Sequence, residues 1–239
     1  MFFVLPVFTV VGIYLLAALL PAVFLMRYIY REDKSDKEPP GLLLSLILRG
    51  VAAAIVSSVL ELFGRSVLTS LLGSSSPAYV VVWAFLIVAV IEEGTKFLFL
   101  KHRTWRDPNF NYRFDGIVYA VTVSLGFAAY ENINYVFGYG LAVAVPRAIL
   151  AIPGHMGFAV FMGLFYGRAK LCEARGRKMG KTANLWAGYL AAVLLHGFYD
   201  SCVMIGNVAS TTVFVVFIVG MYIAVIRLIK RESDSDRPL

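Results

Sequence analysis

Charge is the scarcest commodity in this chain of 239 residues: only 15% are Asp, Glu, Lys or Arg, while 59% are hydrophobic. A soluble domain carries about 25% charged and about 45–50% apolar residues, so a water-facing surface of ordinary polarity is excluded. Cysteine is nearly absent, with Cys172 and Cys202 alone, which excludes a disulfide scaffold. No His-Glu-x-x-His occurs, so a zincin-type helix is excluded. No Lys/Arg tract is interleaved with exposed aromatics, so nucleic acid is not the expected partner despite a net charge of +7.

What is present instead is a succession of long apolar runs, and mean hydropathy reaches +0.76. A hydrocarbon core of about 30 Å needs roughly 20 apolar residues per helical crossing. The runs predict an all-α integral membrane protein with about seven transmembrane helices near 2–26, 41–72, 77–100, 114–137, 153–170, 183–204 and 208–228. The number becomes eight if 138–152 forms a broken or re-entrant segment. Pro146 and Pro153 bracket Arg147 there, and proline cannot donate to the helix ladder. A short helix lying on the outer face, leading into the fifth span, is therefore expected.

Eighteen of the 22 basic residues fall in the segments 27–38, 101–113 and 168–181 and in the tail from 227. These alternate with gaps in which Arg147 is the only basic residue. The positive-inside rule then puts the N-terminus outside and the C-terminus in the cytoplasm. With no basic stretch before it, the first run reads as a retained anchor rather than a cleaved signal. One polytopic domain over 1–239 is expected. On this topology the two cysteines lie on opposite sides of the membrane and cannot pair.

Ionisable side chains inside spans cost about 2.5–3.5 kcal/mol each at the centre on insertion scales, so those that remain are candidates for function. Glu92-Glu93-Gly94-Thr95-Lys96 places Glu92 one turn from Lys96, where the two can pair, and that pairing leaves Glu93 unexplained. Glu131 has no basic residue three or four positions away, so its partner must be a metal or another helix. His155 opens the fifth span. His196 and Asp200, at i and i+4, share a helix face. Glu61 and Arg65 have the same spacing and are expected to neutralise each other, and His102 lies among basic residues outside the spans. At about 1.5 Å per residue, Glu93 and Glu131 each lie about 24 Å, and His196 about 20 Å, from one end of their spans. Four helices can thus present carboxylates and imidazoles to one cavity in the middle-to-outer membrane. That donor set suits a catalytic zinc-type site or a metal-free acid–base site.

Glu92-Glu93-x-x-Lys96, Phe127-x-x-x-Glu131-Asn132, the His155 segment and His196-x-x-x-Asp200 resemble, in order and spacing, the PrsW family of membrane-embedded proteases. That family is related to the type II CAAX prenyl endopeptidases. Asp36-Lys37-Glu38-Pro39 and Asp115-Gly116-Ile117-Val118-Tyr119 are similar to it as well, so the likeness covers about 27–205. It implies intramembrane or juxtamembrane proteolysis in the cytoplasmic (inner) membrane of a prokaryote, with a membrane-anchored anti-sigma factor as the site-1 substrate. Glu92 and Glu93 match the family's glutamate pair, Glu131 its third acid, His155 and His196 its histidines, and Asp200 the partner of the last histidine. Where the CAAX enzymes end the Phe-x-x-x motif in His, this chain has Glu131, which turns the expectation away from prenylated substrates.

Two mechanisms follow. In one, Glu131, His155, His196 and Asp200 hold zinc and Glu93, beside Glu92, activates water. In the other no metal binds, and His196 with Asp200 stabilises the oxyanion. The competing class is a proton- or ion-coupled transporter that uses the same buried cluster, although no paired halves with matching broken helices occur.

Overall fold

The computed structural model describes residues 6–74, 76 and 78–239. The opening of the first expected span, residues 2–5, and residue 77, where the third was expected to begin, lie outside the described residues. Helix dominates, and the described residues contain no strand, only an isolated bridge between Tyr112 and Pro238. The long elements are α1 (Val7–Glu32), α2 (Pro40–Leu72), α4 (Val90–Thr104), α5 (Asp115–Tyr139), α7 (Ile152–Ala174), α8 (Lys178–Ile205) and α9 (Val208–Asp234). Before α4 come a short α3 (Tyr79–Val82) and a π-helical turn, Trp83–Ala89, that runs on into it. Among the described residues, six helical stretches are long and apolar enough to cross a membrane; the charges of α4 keep its stretch out of that number.

Local chemistry sets the ends. α2 starts with Pro39 and Pro40, which have no N–H to leave unsatisfied in a first turn. α8 closes on Gly206 at φ 63°, a left-handed position that suits glycine. Asn207 then caps α9, its side chain accepting from the Ser210 N–H at 2.8 Å.

The expected surface helix at 138–152 is not separate. From Leu141 the chain winds through a 3-10 turn, a short α6 (Ala144–Pro146) and a π turn, Arg147–Ala151, directly into α7. Pro153 withholds its N–H from the carbonyls one turn back, and the Tyr222 hydroxyl donates to Ile149 O at 2.7 Å and Leu150 O at 3.2 Å. That substitute donor lets the helix continue through the proline, as in other membrane helices.

α5 is the hub, packed by α1, α2, α4 and α7. Glycines bring the backbones together: a Cβ at Gly163 of α7 would lie 2.5 Å from Ile117 Cα, and one at Gly116 2.6 Å from Gly167 N. Close approach of small residues is how helices associate where lipid offers no hydrophobic drive. α1 and α9 turn broad apolar faces outward, including Phe8, Leu16, Phe24, Val208 and Val216. With bilayer around them, those faces need no protein partner.

Candidate active site

Four helices deliver the polar residues to one place. α4 supplies Glu92, Glu93 and Lys96; α5 supplies Glu131 and Asn132; α7 brings His155; α8 brings His196 and Asp200. A π turn stands immediately before α4 and before α7. Such wide turns re-aim the side chains that follow and recur at functional sites. α8 meets the first of them through Gly197, where any Cβ would run into the Phe85 ring.

Lys96 lies at the centre, 2% exposed. Its Nζ donates to Glu93 Oε1 at 2.7 Å, Glu92 Oε2 at 3.1 Å and His155 Nδ1 at 3.2 Å, and stands 4.0 Å from the centroid of the Phe127 ring. An ammonium can only donate, so His155 Nδ1 accepts and Nε2 carries the ring proton. Nε2 faces Glu131 Oε2 at 3.0 Å. The expected Glu92–Lys96 pair is present, but the same ammonium also serves Glu93, a sharing that i,i+4 spacing alone did not indicate.

Glu131 finds its partner on the segment leading to α7. Arg147 donates from Nη2 to Glu131 Oε2 at 2.8 Å and from Nε to Asn132 Oδ1 at 2.8 Å, with its guanidinium 3.8 Å from the centroid of the Tyr135 ring. Asn132 in turn donates to Ala18 O of α1 at 2.7 Å. Arg147, the one basic residue in the gaps expected to lie outside, is thus tied to the cluster.

His196 is bracketed by carboxylates. Nδ1 stands 2.8 Å from Glu93 Oε1; Nε2 is 3.3 Å from Asp200 Oδ2 and 3.9 Å from Glu92 Oε2. Phe158 stacks on the ring at 4.9 Å and 19°. The His155 and His196 rings are 5.3 Å apart. Ser124 fixes the α7 backbone by donating to His155 O at 2.9 Å, and a Ser57–Thr95 hydroxyl contact of 2.7 Å joins α2 to α4.

Beside this cluster lies a cavity of about 460 Å³, walled by Glu92, Glu131, Arg147, His155, His196 and Asp200. Glu93 stands behind that wall. Glu61 is on it, and also borders a cavity of about 220 Å³ between α2, α4 and α5 that shares Glu92 and Glu131. The expected Glu61–Arg65 pair does not form. Glu61 faces the cluster instead, a role that only the packing of α2 against α4 reveals. His102 is remote, with Nδ1 3.4 Å from Arg49 Nη1. Cys172 and Cys202 are both free.

One donor atom from each of Glu92, Glu93, His155 and His196 falls within 4.8 Å of the others. This compact group takes Glu92 and Glu93 where the sequence suggested Glu131 and Asp200. The latter two each hold the Nε2 side of one imidazole, while Lys96 stands at Nδ1 of His155 and Glu93 at Nδ1 of His196. Glu93 Oε2 is buried without a hydrogen-bond partner, as expected of a carboxylate whose second ligand position awaits a cation. The donor set fits a metal ion.

A polytopic helical membrane protein that gathers paired glutamates and two imidazoles beside an internal cavity has the parts of a hydrolase acting within the bilayer. Residues 38–227 match the family described as PrsW family intramembrane metalloprotease. The chain is 32% identical over 222 residues to the protein named Protease PrsW in Geobacillus kaustophilus, covering 93% of each chain. It is 34% identical over 185 residues to that of Shouchella clausii, covering 77% of this chain and 80% of that one. For Bacillus subtilis Protease PrsW the figures are 32% over 184 residues, 77% and 79%. No solved structure matches. The chain belongs to the PrsW family, and is a multi-pass membrane protein of a protease family.

Proposed function

We propose that this protein cleaves a membrane-anchored protein substrate near the outer face of the cytoplasmic membrane, as the first cut of an anti-sigma factor. The seventh crossing is Tyr79–Thr104, the N-terminus lies outside, and the basic segments lie in the cytoplasm. The observation that carries this reading is the convergence of Glu92, His155 and His196 on the wall of a single cavity inside the helix bundle.

Glu92 is the base. It faces the cavity, whereas Glu93, 1% exposed, is held from both sides by Lys96 and His196. On i,i+4 spacing Lys96 pairs with Glu92 and Glu93 is the expected base; with the ammonium shared, access favours Glu92. A water beside Glu92 gives it a proton while its oxygen attacks the scissile carbonyl, and the amine leaving group takes the proton back. Glu93 and Asp200 fix the His196 ring, and Glu131, clamped by Arg147, fixes His155. His196, on the cavity wall, can stabilise developing oxyanion charge without reorganising, whereas the one ring N–H of His155 is committed to Glu131.

Residues that would hold a metal are His155, His196 and Glu93. A bound ion would polarise the carbonyl and activate water as a Lewis acid, with Glu92 remaining as proton acceptor.

The test is cleavage of a single-span reporter in proteoliposomes. Glu92→Gln should abolish cleavage while the folded protein persists. Full cleavage by both Glu92→Gln and Glu93→Gln would refute the assignment. Uptake of protons or ions that survives in a protein with no proteolysis would favour the transporter.

A further inference from the structure

At the opposite end of the bundle, a polar cavity of about 420 Å³ opens between the start of α5 and the C-terminal ends of α7 and α9. Five guanidinium groups border it: Arg113, Arg168, Arg175, Arg231 and Arg237. The sole carboxylate in its wall is Glu232, engaged by Arg113 at 2.8 Å. Nearby acids are committed elsewhere. Asp234 pairs with Lys34 at 2.6 Å, Glu173 with Lys181 at 2.8 Å, and Asp236 accepts from the Phe114 N–H at 3.0 Å. Among the described residues, Arg168, Arg175, Arg231 and Arg237 form no ion pair.

The plain alternative is that these arginines are cytoplasmic anchors favoured by helix C-termini. A helix end carries about half a unit of negative charge, so two ends offset about one of four positive charges. Anchoring also calls for charges spread around the bundle, yet these converge on one cavity. Arginine rather than lysine supplies all five groups, and its planar fork matches phosphate oxygens in pairs. Basic pockets at the cytoplasmic ends of membrane helices are suited to phospholipid headgroups.

We propose that this cavity is a binding site for a phosphate-bearing anion, held by Arg168 and Arg231 from α7 and α9 and by Arg175 and Arg237 at the rim. The ligand ties the ends of α7 and α9 together. Its phosphate comes from an anionic phospholipid or from a soluble phosphate ester, both of which present the same oxygens.

The experiment measures binding to the purified full chain in neutral detergent. One arm adds phosphatidylglycerol, with phosphatidylcholine as the zwitterionic control; the other adds inorganic pyrophosphate. Wild type should bind one of the two phosphate probes, and whichever binds identifies the source. Arg168→Gln with Arg231→Gln should weaken that binding at least tenfold. The exposed pair Arg175→Gln and Arg237→Gln, which leaves the packed helices untouched, should weaken it several-fold. Removing two positive charges elsewhere on the same side, by Arg27→Gln and Arg31→Gln, should change it less than twofold. No binding of either probe, or equal loss in the Arg27/Arg31 control, would overturn the proposal.

Discussion

Arg147 is the residue whose removal tests the architecture of the active site most directly. It is 14% exposed and its partner Glu131 26% exposed, with 2.8 Å between Nη2 and Oε2. Two unit charges about 4 Å apart at an effective dielectric near 20 attract by about 4 kcal/mol. That is an upper bound, for two reasons. The pair is partly exposed, and in a membrane the freed groups find other polar partners, so measured interhelical couplings average about 0.6 and reach about 1.7 kcal/mol. A coupling of about 1–2 kcal/mol is therefore expected from a double-mutant cycle of Arg147→Met and Glu131→Gln, read by reversible unfolding in mixed micelles of anionic and neutral detergent. Arg147→Lys should recover only part of it, because an ammonium cannot reach Glu131 and Asn132 together with the fork that the guanidinium uses. Cleavage by Arg147→Met should fall about tenfold, since Glu131 would no longer be held against His155. Additive single effects, with a coupling below about 0.5 kcal/mol, would refute the clamp and the orienting role assigned to it.

Gly163→Ala should destabilise by about 1–3 kcal/mol, because its methyl carbon would sit 2.5 Å from Ile117 Cα in backbone that cannot yield locally; thermal unfolding in detergent measures this. Lys96→Met should cost about 3 kcal/mol and abolish cleavage, as it leaves two buried carboxylates without their shared cation. On the basic side, burial raises the Glu38 carboxyl to about 7 and that of Asp33 to about 6. Between about pH 4.5 and 7 the folded chain then keeps a proton that the unfolded chain releases, so stability falls as pH rises through this window. Glu38→Gln should flatten that slope, and an unchanged slope would remove Glu38 as its origin.

The sequence made the spans legible because an apolar run of 20 residues surrounded by lipid has few alternatives to a helix. It also exposed the candidate site, since Glu92, Glu93, Glu131, His155, His196 and Asp200 all occupy positions where lipid would reject them. Glu131 lacked a partner on its own helix, so the prediction of one from elsewhere followed from spacing, and Arg147 and His155 meet it. What stayed hidden depends on how helices are rotated against each other. Spacing at i,i+4 offered Arg65 to Glu61 and Glu92 to Lys96, and passed over Glu93 at i,i+3 on the same helix. The packing of α2 against α4 turned Glu61 to the cavity, and α7 brought His155 to Lys96 as a third partner beside Glu92 and Glu93 of its own helix. Pro146 and Pro153 read as a break, yet the hydroxyl of Tyr222, nearly 70 residues downstream, lets the helix run on. No local pattern encodes that donor.

Charge around the cluster gives the last prediction its basis. Glu61, Glu92, Glu93, Glu131 and Asp200 bring five carboxylates to the two cavities and the wall behind them, whereas Lys96 and Arg147 are the only permanent cations there. Three formal negative charges remain in surroundings of low dielectric, where uncompensated charge is expensive. Protons on carboxyls or imidazoles can offset them, and so could a divalent cation, which would cancel two at once and be held by His155, His196 and Glu93. The two accounts diverge in what the purified protein retains. With a metal, elemental analysis should find close to one equivalent of a zinc-like ion per chain. His196→Ala should lower that content at least severalfold, and Glu92→Gln should keep the ion while losing cleavage. Chelation should stop cleavage and the ion restore it. Wild type that is free of bound metal and still fully active would leave protons as the compensating charge, with Glu92 acting on water without Lewis-acid help.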